Sequence, residues 1–134
     1  MPKVVRPVET EKVTINLGYV DLGRIDLLVA EGFFANRADF IRAAIRAQLD
    51  RHAGEVGALV QRRVLDLGLR DVTRGDLEAA RAAGEVLHLR VVGLARLASD
   101  ITPELARATI GSITVLGALQ ASADLKAALA DRIT

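Results

Sequence analysis

Residues 11–17 read EKVTINL, and this short stretch carries the main structural signal in the N-terminal part of the chain. Apolar and polar side chains alternate along it, in the order Lys12, Val13, Thr14, Ile15, Asn16, Leu17. This alternation is typical of a strand with one buried face and one wet face. Gly18 interrupts it, so we predict one short strand over residues 11–17.

Two helices joined by a tight turn are predicted to follow the strand. We take Asp21 as the N-cap of the first helix, and Gly32 as the residue of positive φ that ends it. Asn36 is the predicted N-cap of the second helix, which begins at Arg37. Asp39, three residues after the cap, supplies the acidic partner of a capping box. Three aromatic residues around this turn are expected in the core: Phe33, Phe34 and Phe40.

This unit is too small to fold as a single chain. One strand has no partner, and two short helices bury too little surface to offset the entropy of the chain. The simplest partner is the same strand of a second copy, in an antiparallel ribbon that presses its apolar face onto the helices. The opposite face carries Lys12, Thr14 and Asn16, which can hydrogen-bond base edges in the major groove of B-DNA. On the alternation alone, an ordinary solvated strand face remains the alternative.

At this point the sequence resembles a known family. The resemblance covers roughly residues 11–53. This part of the chain contains the run VTINLGYVDLGRIDLLVAEGFFANRADFIRAAIRAQL and is similar to the ribbon-helix-helix (CopG/Arc/MetJ-like) transcriptional regulators. The most specific part is GFFANRADFIRAAIR, with its glycine, polar cap, arginine, acidic residue and following apolar-Ile-Arg pattern. The resemblance implies an intertwined homodimer that binds double-stranded DNA.

The resemblance also implies roles for individual residues. It places Lys12, Thr14 and Asn16 at base-reading positions, and it assigns phosphate binding to the backbone amides near Asn36 and Arg37. A helix N-terminus suits an anion because it presents free N–H groups and a partial positive charge. Family members often carry more arginine on the ribbon. We therefore expect Lys3, Arg6 or a second dimer to add phosphate contacts.

The rest of the chain predicts a separate domain. Residues 1–10 read as a flexible arm, 11–53 as the ribbon-helix-helix domain and 54–72 as a helical connector that stops at Gly68. Residues 73–134 form a small α/β domain for oligomerisation or sensing, which opens with a helix capped by Thr73.

This C-terminal domain contains a weak internal repeat. Residues 86–108 align with residues 110–132 at an offset of 24, matching Val91 with Val115 and Gly93 with Gly117. Each copy reads as a strand, a loop and a helix, so the repeat predicts two strand–helix units. The whole chain is therefore mainly α with short β elements.

Composition narrows the functional classes. The chain has 134 residues, a net charge of +1 and no cysteine, which excludes disulfides and thiolate metal sites and fits a reducing cytoplasm. Residues 1–10 lack the apolar core of a signal peptide, and charges interrupt every candidate membrane span. His52 and His88 lie far apart in sequence, and no catalytic arrangement stands out. We therefore expect no enzyme, no metal and no cofactor.

Three functions remain open. The first is a transcriptional regulator, in particular a repressor. The second is an antitoxin whose tail binds a toxin, although antitoxin tails tend to be disordered until bound and residues 73–134 are apolar and capped. The third is a DNA-associated assembly protein that oligomerises through its C-terminal strands.

Overall fold

The computed structural model describes residues 10–134, and the chain divides into an N-terminal unit that ends at Val56 and a C-terminal unit from Gly57 to Thr134. The helices are α1 (Tyr19–Ala30), α2 (Arg37–Arg51), α3 (Ala53–Arg62), α4 (Arg74–Ala83), α5 (Pro103–Thr109) and α6 (Ala123–Ala128). The strands are β1 (Asp66–Val72), β2 (Leu87–Leu97) and β3 (Ile110–Gln120). None of the helices in residues 10–134 is long and apolar enough to cross a membrane.

Helix α1 begins earlier than its sequence signals suggest. Its N-cap is Gly18, which has extended backbone and makes no side-chain capping bond, so the prediction of Asp21 as N-cap is wrong. Asp21 lies instead in the first turn, with a carboxylate oxygen 3.9 Å from Nη1 of Arg24. A carboxylate there stabilises the positive end of the helix dipole without capping it.

The turn between α1 and α2 agrees with its sequence signals. Gly32 has a φ of +85°, as predicted. Its N–H donates to the carbonyl of Val29, and the N–H of Phe33 donates to the carbonyl of Leu28, at 3.1 and 2.9 Å. These two bonds form a Schellman motif, which satisfies the last carbonyls of α1 and turns the chain towards α2.

The C-terminal unit is built on a three-stranded parallel sheet in the order β1-β2-β3. Val91 pairs with Val115 and Gly93 with Gly117, the same offset of 24 as in the sequence repeat. Strand β1 extends this pattern on the other side of β2, where Gly68 pairs with Gly93. The structure therefore contains three strand–helix units, β1–α4, β2–α5 and β3–α6, instead of the predicted two.

Strand β1 is the element that the sequence pattern missed. The helix predicted to run through the connector to Gly68 ends at Arg62, and Asp66 already belongs to the sheet. Gly68 does not stop a helix but lies within β1 with a φ of +123°. Only the last of the seven residues of β1, Val72, is buried, so no buried apolar face marks the strand in the sequence.

Helices α4, α5 and α6 each start at a hydroxyl N-cap. The side-chain oxygens of Thr73, Thr102 and Ser122 accept the N–H three residues later, at 3.1, 3.2 and 3.1 Å. At Thr73, the predicted cap, the carboxylate of Asp76 accepts the cap N–H in return. The caps position a buried leucine of each helix in one core with apolar residues of β2 and β3: Leu77, Leu105, Leu125, Leu89 and Ile113.

Candidate nucleic-acid interface

Residues 11–17 pair with no strand in the part of the chain that the structure describes. Among residues 10–134 the sheet consists of β1, β2 and β3 alone, and residues 10–18 belong to no helix or strand. The three apolar residues of this segment are exposed: Val13 to 76%, Ile15 to 58% and Leu17 to 39%. No described strand pairs with this segment, and its apolar side chains stay exposed beside the described helices.

The predicted base-reading residues lie on the same segment. Lys12, Thr14 and Asn16 are exposed, and none of them makes a hydrogen bond or ion pair with another described residue. Within residues 10–134 their side-chain donors and acceptors are therefore unpaired. The two other predicted phosphate-binding residues, Lys3 and Arg6, lie outside the described residues.

The start of α2 is held by its cap. The side-chain oxygen of Asn36 accepts the N–H of Asp39 at 2.8 Å, which confirms the predicted N-cap. The carboxylate of Asp39 reaches back one residue further than in a standard capping box, to the N–H of Ala35 at 2.9 Å. Within the described chain, the N–H groups of Arg37 and Ala38 remain without an acceptor, as is usual in a first helical turn.

The side chain of Arg37 is engaged inside the chain. Its Nε and Nη2 donate to the two carboxylate oxygens of Asp26 on α1, both at 2.8 Å. These hydrogen bonds, together with the adjacent positive charge, hold the pKa of Asp26 below its ordinary value. The same carboxylate raises the pKa of Arg37. A phosphate at this helix start would therefore meet the backbone N–H of Arg37, while the guanidinium links α1 to α2.

Sequence reasoning missed Asp26 as a partner of Arg37. The two residues are 11 positions apart and lie on different helices, so no helical spacing rule connects them. The one available signal was an unassigned carboxylate on the exposed side of α1. Recognising the pair requires the geometry of the turn between the helices.

The apolar face of α2 is largely uncovered in the single chain. No residue of α2 is buried, and Ile45 and Leu49 are exposed. Phe34 and Phe40 are half-buried and meet edge to face, with ring centroids 5.0 Å apart. Phe33 is 71% exposed, so the prediction that all three phenylalanines lie in the core fails for Phe33 in the single chain.

Each of the two histidines has a hydrogen-bonding partner within its own unit. Nδ1 of His52 lies 2.9 Å from the carbonyl oxygen of Gln48, and Nδ1 of His88 lies 2.8 Å from Oγ of Ser112. In residues 10–134 no three side chains of the metal-binding types come together in a way that could hold an ion.

Comparison with known proteins agrees with this geometry. Residues 8–126 match the profile of the ribbon-helix-helix transcriptional regulator family. Over 48 residues the chain is 33% identical to the transcriptional regulator CdrS of Halobacterium salinarum (strain ATCC 700922 / JCM 11081 / NRC-1); the match covers 36% of this chain and 87% of that protein. No solved structure matches the chain. The family match covers most of the sequence, and we conclude that the chain belongs to the ribbon-helix-helix family of transcriptional regulators.

Proposed function

We propose that this protein is a sequence-specific DNA-binding repressor that acts in the cytoplasm as a homodimer. Residues 11–17 of two copies pair as an antiparallel ribbon, and the ribbon enters the major groove with Lys12, Thr14 and Asn16 towards the bases. The observation that carries the proposal is the unpaired segment itself, whose apolar and polar side chains are all exposed in the single chain. A dimer buries the apolar set and leaves the polar set outward.

The experiment that tests base reading is a binding selection from random DNA with the wild type and Thr14→Ala. We expect the variant to remain dimeric and to lose preference at one position in each half-site, because a good base contact contributes about 1–3 kcal/mol of discrimination. Ser99→Ala, an exposed hydroxyl in the C-terminal unit, is the control. An unchanged sequence preference in Thr14→Ala would show that the reading face is wrongly assigned.

The contribution of charge is tested with two lysines. Lys12→Ala should weaken binding and lower the dependence of the affinity on salt, because fewer counterions are released from the DNA. Lys126→Ala removes the same charge from α6 in the C-terminal unit and should leave both quantities unchanged. Equal effects of the two substitutions would indicate attraction by overall charge.

The phosphate contact at α2 is tested with a matched pair at one position. Arg37→Gln and Arg37→Pro both remove the guanidinium, but only proline removes the backbone N–H. Proline suits the first helical position, and the preceding Asn36 already has extended backbone. We expect Arg37→Pro to bind DNA more weakly than Arg37→Gln by about 1.5–3 kcal/mol, the range for a hydrogen bond to a charged group. Equal DNA affinities of the two variants would show that this N–H does not contact a phosphate.

Repression is the finer part of the proposal. The chain offers DNA-reading groups on the ribbon, while its C-terminal unit is a packed core of aliphatic side chains. A folded core of this kind supports a regulator over an antitoxin, whose toxin-binding tail would be disordered alone. Transcription in vitro from a promoter that contains the selected site should fall as protein is added. Stimulated transcription would instead identify an activator.

A further inference from the structure

The sheet of the C-terminal unit ends on both sides in a strand edge that no other described strand completes. On β1, six of seven residues are exposed, and no described strand lies on its outer side. On β3, residues 132–134 cover only the beginning of the edge: Ile113 donates to the carbonyl of Arg132 and accepts the N–H of Thr134, at 2.8 and 2.9 Å. From Val115 to Gln120 no described strand lies on the outer side of β3.

A row of three glycines across the sheet indicates which kind of strand could pair with these edges. Gly68, Gly93 and Gly117 lie side by side across the sheet with φ of +123°, +135° and +121°. A Cβ on Gly93 would lie 2.2 Å from the carbonyl oxygen of Gly68, and a Cβ on Gly117 would lie 2.0 Å from that of Gly93. Each of these two glycines therefore makes room for the carbonyl of the strand before it.

Gly68 has the same backbone conformation but lacks that neighbour. A Cβ there would meet nothing within 4 Å. The carbonyls of Gly68 and Gly93 face the next strand of the sheet, and by the same repeat we expect the carbonyl of Gly117 to face the outer side of β3. A parallel strand that brings a glycine carbonyl to Gly68 would repeat the contact already made twice inside the chain, and β3 of a second copy carries such a carbonyl.

We propose that β3 of one copy pairs in parallel with β1 of a second copy, so that the C-terminal units stack head to tail. The register continues the one inside the chain, in which Leu67 pairs with Val92 and Val92 with Leu116. The second copy's Leu67 then lies beside Leu116, and its Gly68 beside Gly117. This contact does not depend on the proposed reading of DNA.

The side chains at the two edges are complementary in this register. Leu67 and Leu116 lie at the edges and are 66% and 47% exposed. Val92, which has a neighbouring strand on both sides, is less exposed and half-buried. Leu69, exposed to 54%, would lie beside Ala118. Pairing at the edges therefore removes apolar surface from water, which is the main favourable contribution to association.

A head-to-tail contact of this kind does not close on itself. It uses two different edges, so every added copy presents a new free β1 or a new free β3. A two-fold contact between two β1 edges is the competing arrangement, but it would be antiparallel, whereas the glycine geometry belongs to parallel neighbours. Joined to a DNA-binding dimer, the open contact would favour occupation of neighbouring sites along DNA.

Introduced cysteines test the contact directly, because the chain has none of its own. Leu67→Cys and Leu116→Cys are made as separate proteins, mixed without DNA and oxidised. Inside one chain these positions are separated by β2, but in the proposed register they are direct neighbours at a distance that a disulfide spans, about 4.4–6.8 Å between Cα atoms. We expect a cross-linked pair from the mixture and none from either variant alone.

Other cross-linking results would contradict the proposal or its register. Cross-linking of Leu67→Cys with itself would replace the proposal with a two-fold β1 contact, and absence of the mixed product would overturn it. Gln120→Cys mixed with Leu67→Cys is the out-of-register control on the same face, and equal yield with this control would also overturn the proposed register. Thr14→Ala added to both cysteine proteins should leave the cross-link intact, which separates a failure here from a failure of the DNA-reading proposal.

Sedimentation velocity on the full-length chain supplies an independent measurement. We expect the wild type to form species larger than a dimer as concentration rises. Leu67→Lys should weaken this association by about tenfold or more, because a charge on an exposed edge opposes strand pairing. Leu59→Lys, an exposed leucine of α3 outside the sheet, should leave it unchanged. A wild type that stops at the dimer, or equal effects of the two lysines, would contradict the proposal.

Discussion

The two units of this chain bury their apolar residues in opposite ways. In the described part of the N-terminal unit, Ile25 of α1 is the only buried apolar residue, while Val13 and Ile15 are among many exposed ones. The C-terminal unit closes a continuous core between its sheet and helices α4 to α6. Since apolar burial is the main favourable contribution to folding, the core of the C-terminal unit supports a stable fold within one chain, whereas the described N-terminal unit leaves most of its apolar side chains exposed, as the proposed dimer would require.

The largest expected effect is that of Ile15→Asp, which should disrupt the N-terminal unit alone. Ile15→Asp should abolish the dimer and DNA binding, because it places two carboxylates where the proposed ribbon meets the helices and also removes an apolar contribution of about 1.5–3 kcal/mol per buried side chain. Circular dichroism and light scattering should show loss of the dimer while the C-terminal unit keeps its cooperative melt.

Thr14→Asp is the matched control, because it adds the same charge one residue away. It should weaken DNA binding and leave the dimer intact, since Thr14 lies on the opposite face. Both residues are exposed in the single chain. If the two variants behaved alike in light scattering, the segment would not form the proposed two-faced ribbon.

The next effect acts on the C-terminal unit. Gly93→Ala combines an unfavourable φ with a Cβ 2.2 Å from a backbone oxygen, so it should lower the free energy of unfolding of this unit by several kcal/mol. Gly68→Ala has nearly the same φ but open space at the Cβ, so it should cost only about 1–3 kcal/mol. Urea denaturation monitored by circular dichroism measures both. A similar loss for the two variants would mean that the close approach of the strands adds nothing.

The smallest expected effect concerns one surface ion pair in each unit. Arg37 lowers the pKa of Asp26, and Arg107, whose Nη1 lies 3.0 Å from a carboxylate oxygen of Asp131, lowers the pKa of Asp131. Because these pKa values are lower in the folded state, each pair stabilises the protein above the ordinary Asp value of 3.8 and loses this effect as the pH falls through the folded pKa.

Carboxyl NMR titrations separate the two pairs. Arg37→Gln should raise the pKa of Asp26 towards its ordinary value and leave that of Asp131 in place, and Arg107→Gln should do the reverse. A change in the pKa of both Asp26 and Asp131 in either variant would mean that the two ion pairs are coupled.

The sequence could predict those elements whose signals are local. The positive φ of Gly32 and the caps at Asn36 and Thr73 each depend on residues within one turn of the chain, and the structure has all three. Strand β1 could not be found in this way. Its apolar residues Leu67 and Leu69 lie on an exposed part of the sheet, so no contrast between buried and exposed positions marked them.

The candidate interface also has one feature that local sequence signals predict and one that they do not. The alternation of residues 12–17 located a polar face from the sequence, and this face remains a prediction because no described strand pairs with the segment. The role of the Arg37 guanidinium was not predictable, since its partner Asp26 comes close only through the turn between α1 and α2.

What the sequence alone determined is the set of local choices: where the chain alternates, where its helices are capped, and where it repeats after 24 residues. These follow from side-chain size, polarity and backbone freedom within a few residues. The tertiary structure added the third strand of the repeat and the row of glycines across the sheet, with no further described strand beyond β1 or along most of β3. These features depend on which distant segments come within hydrogen-bonding distance, and no short window of sequence records that distance.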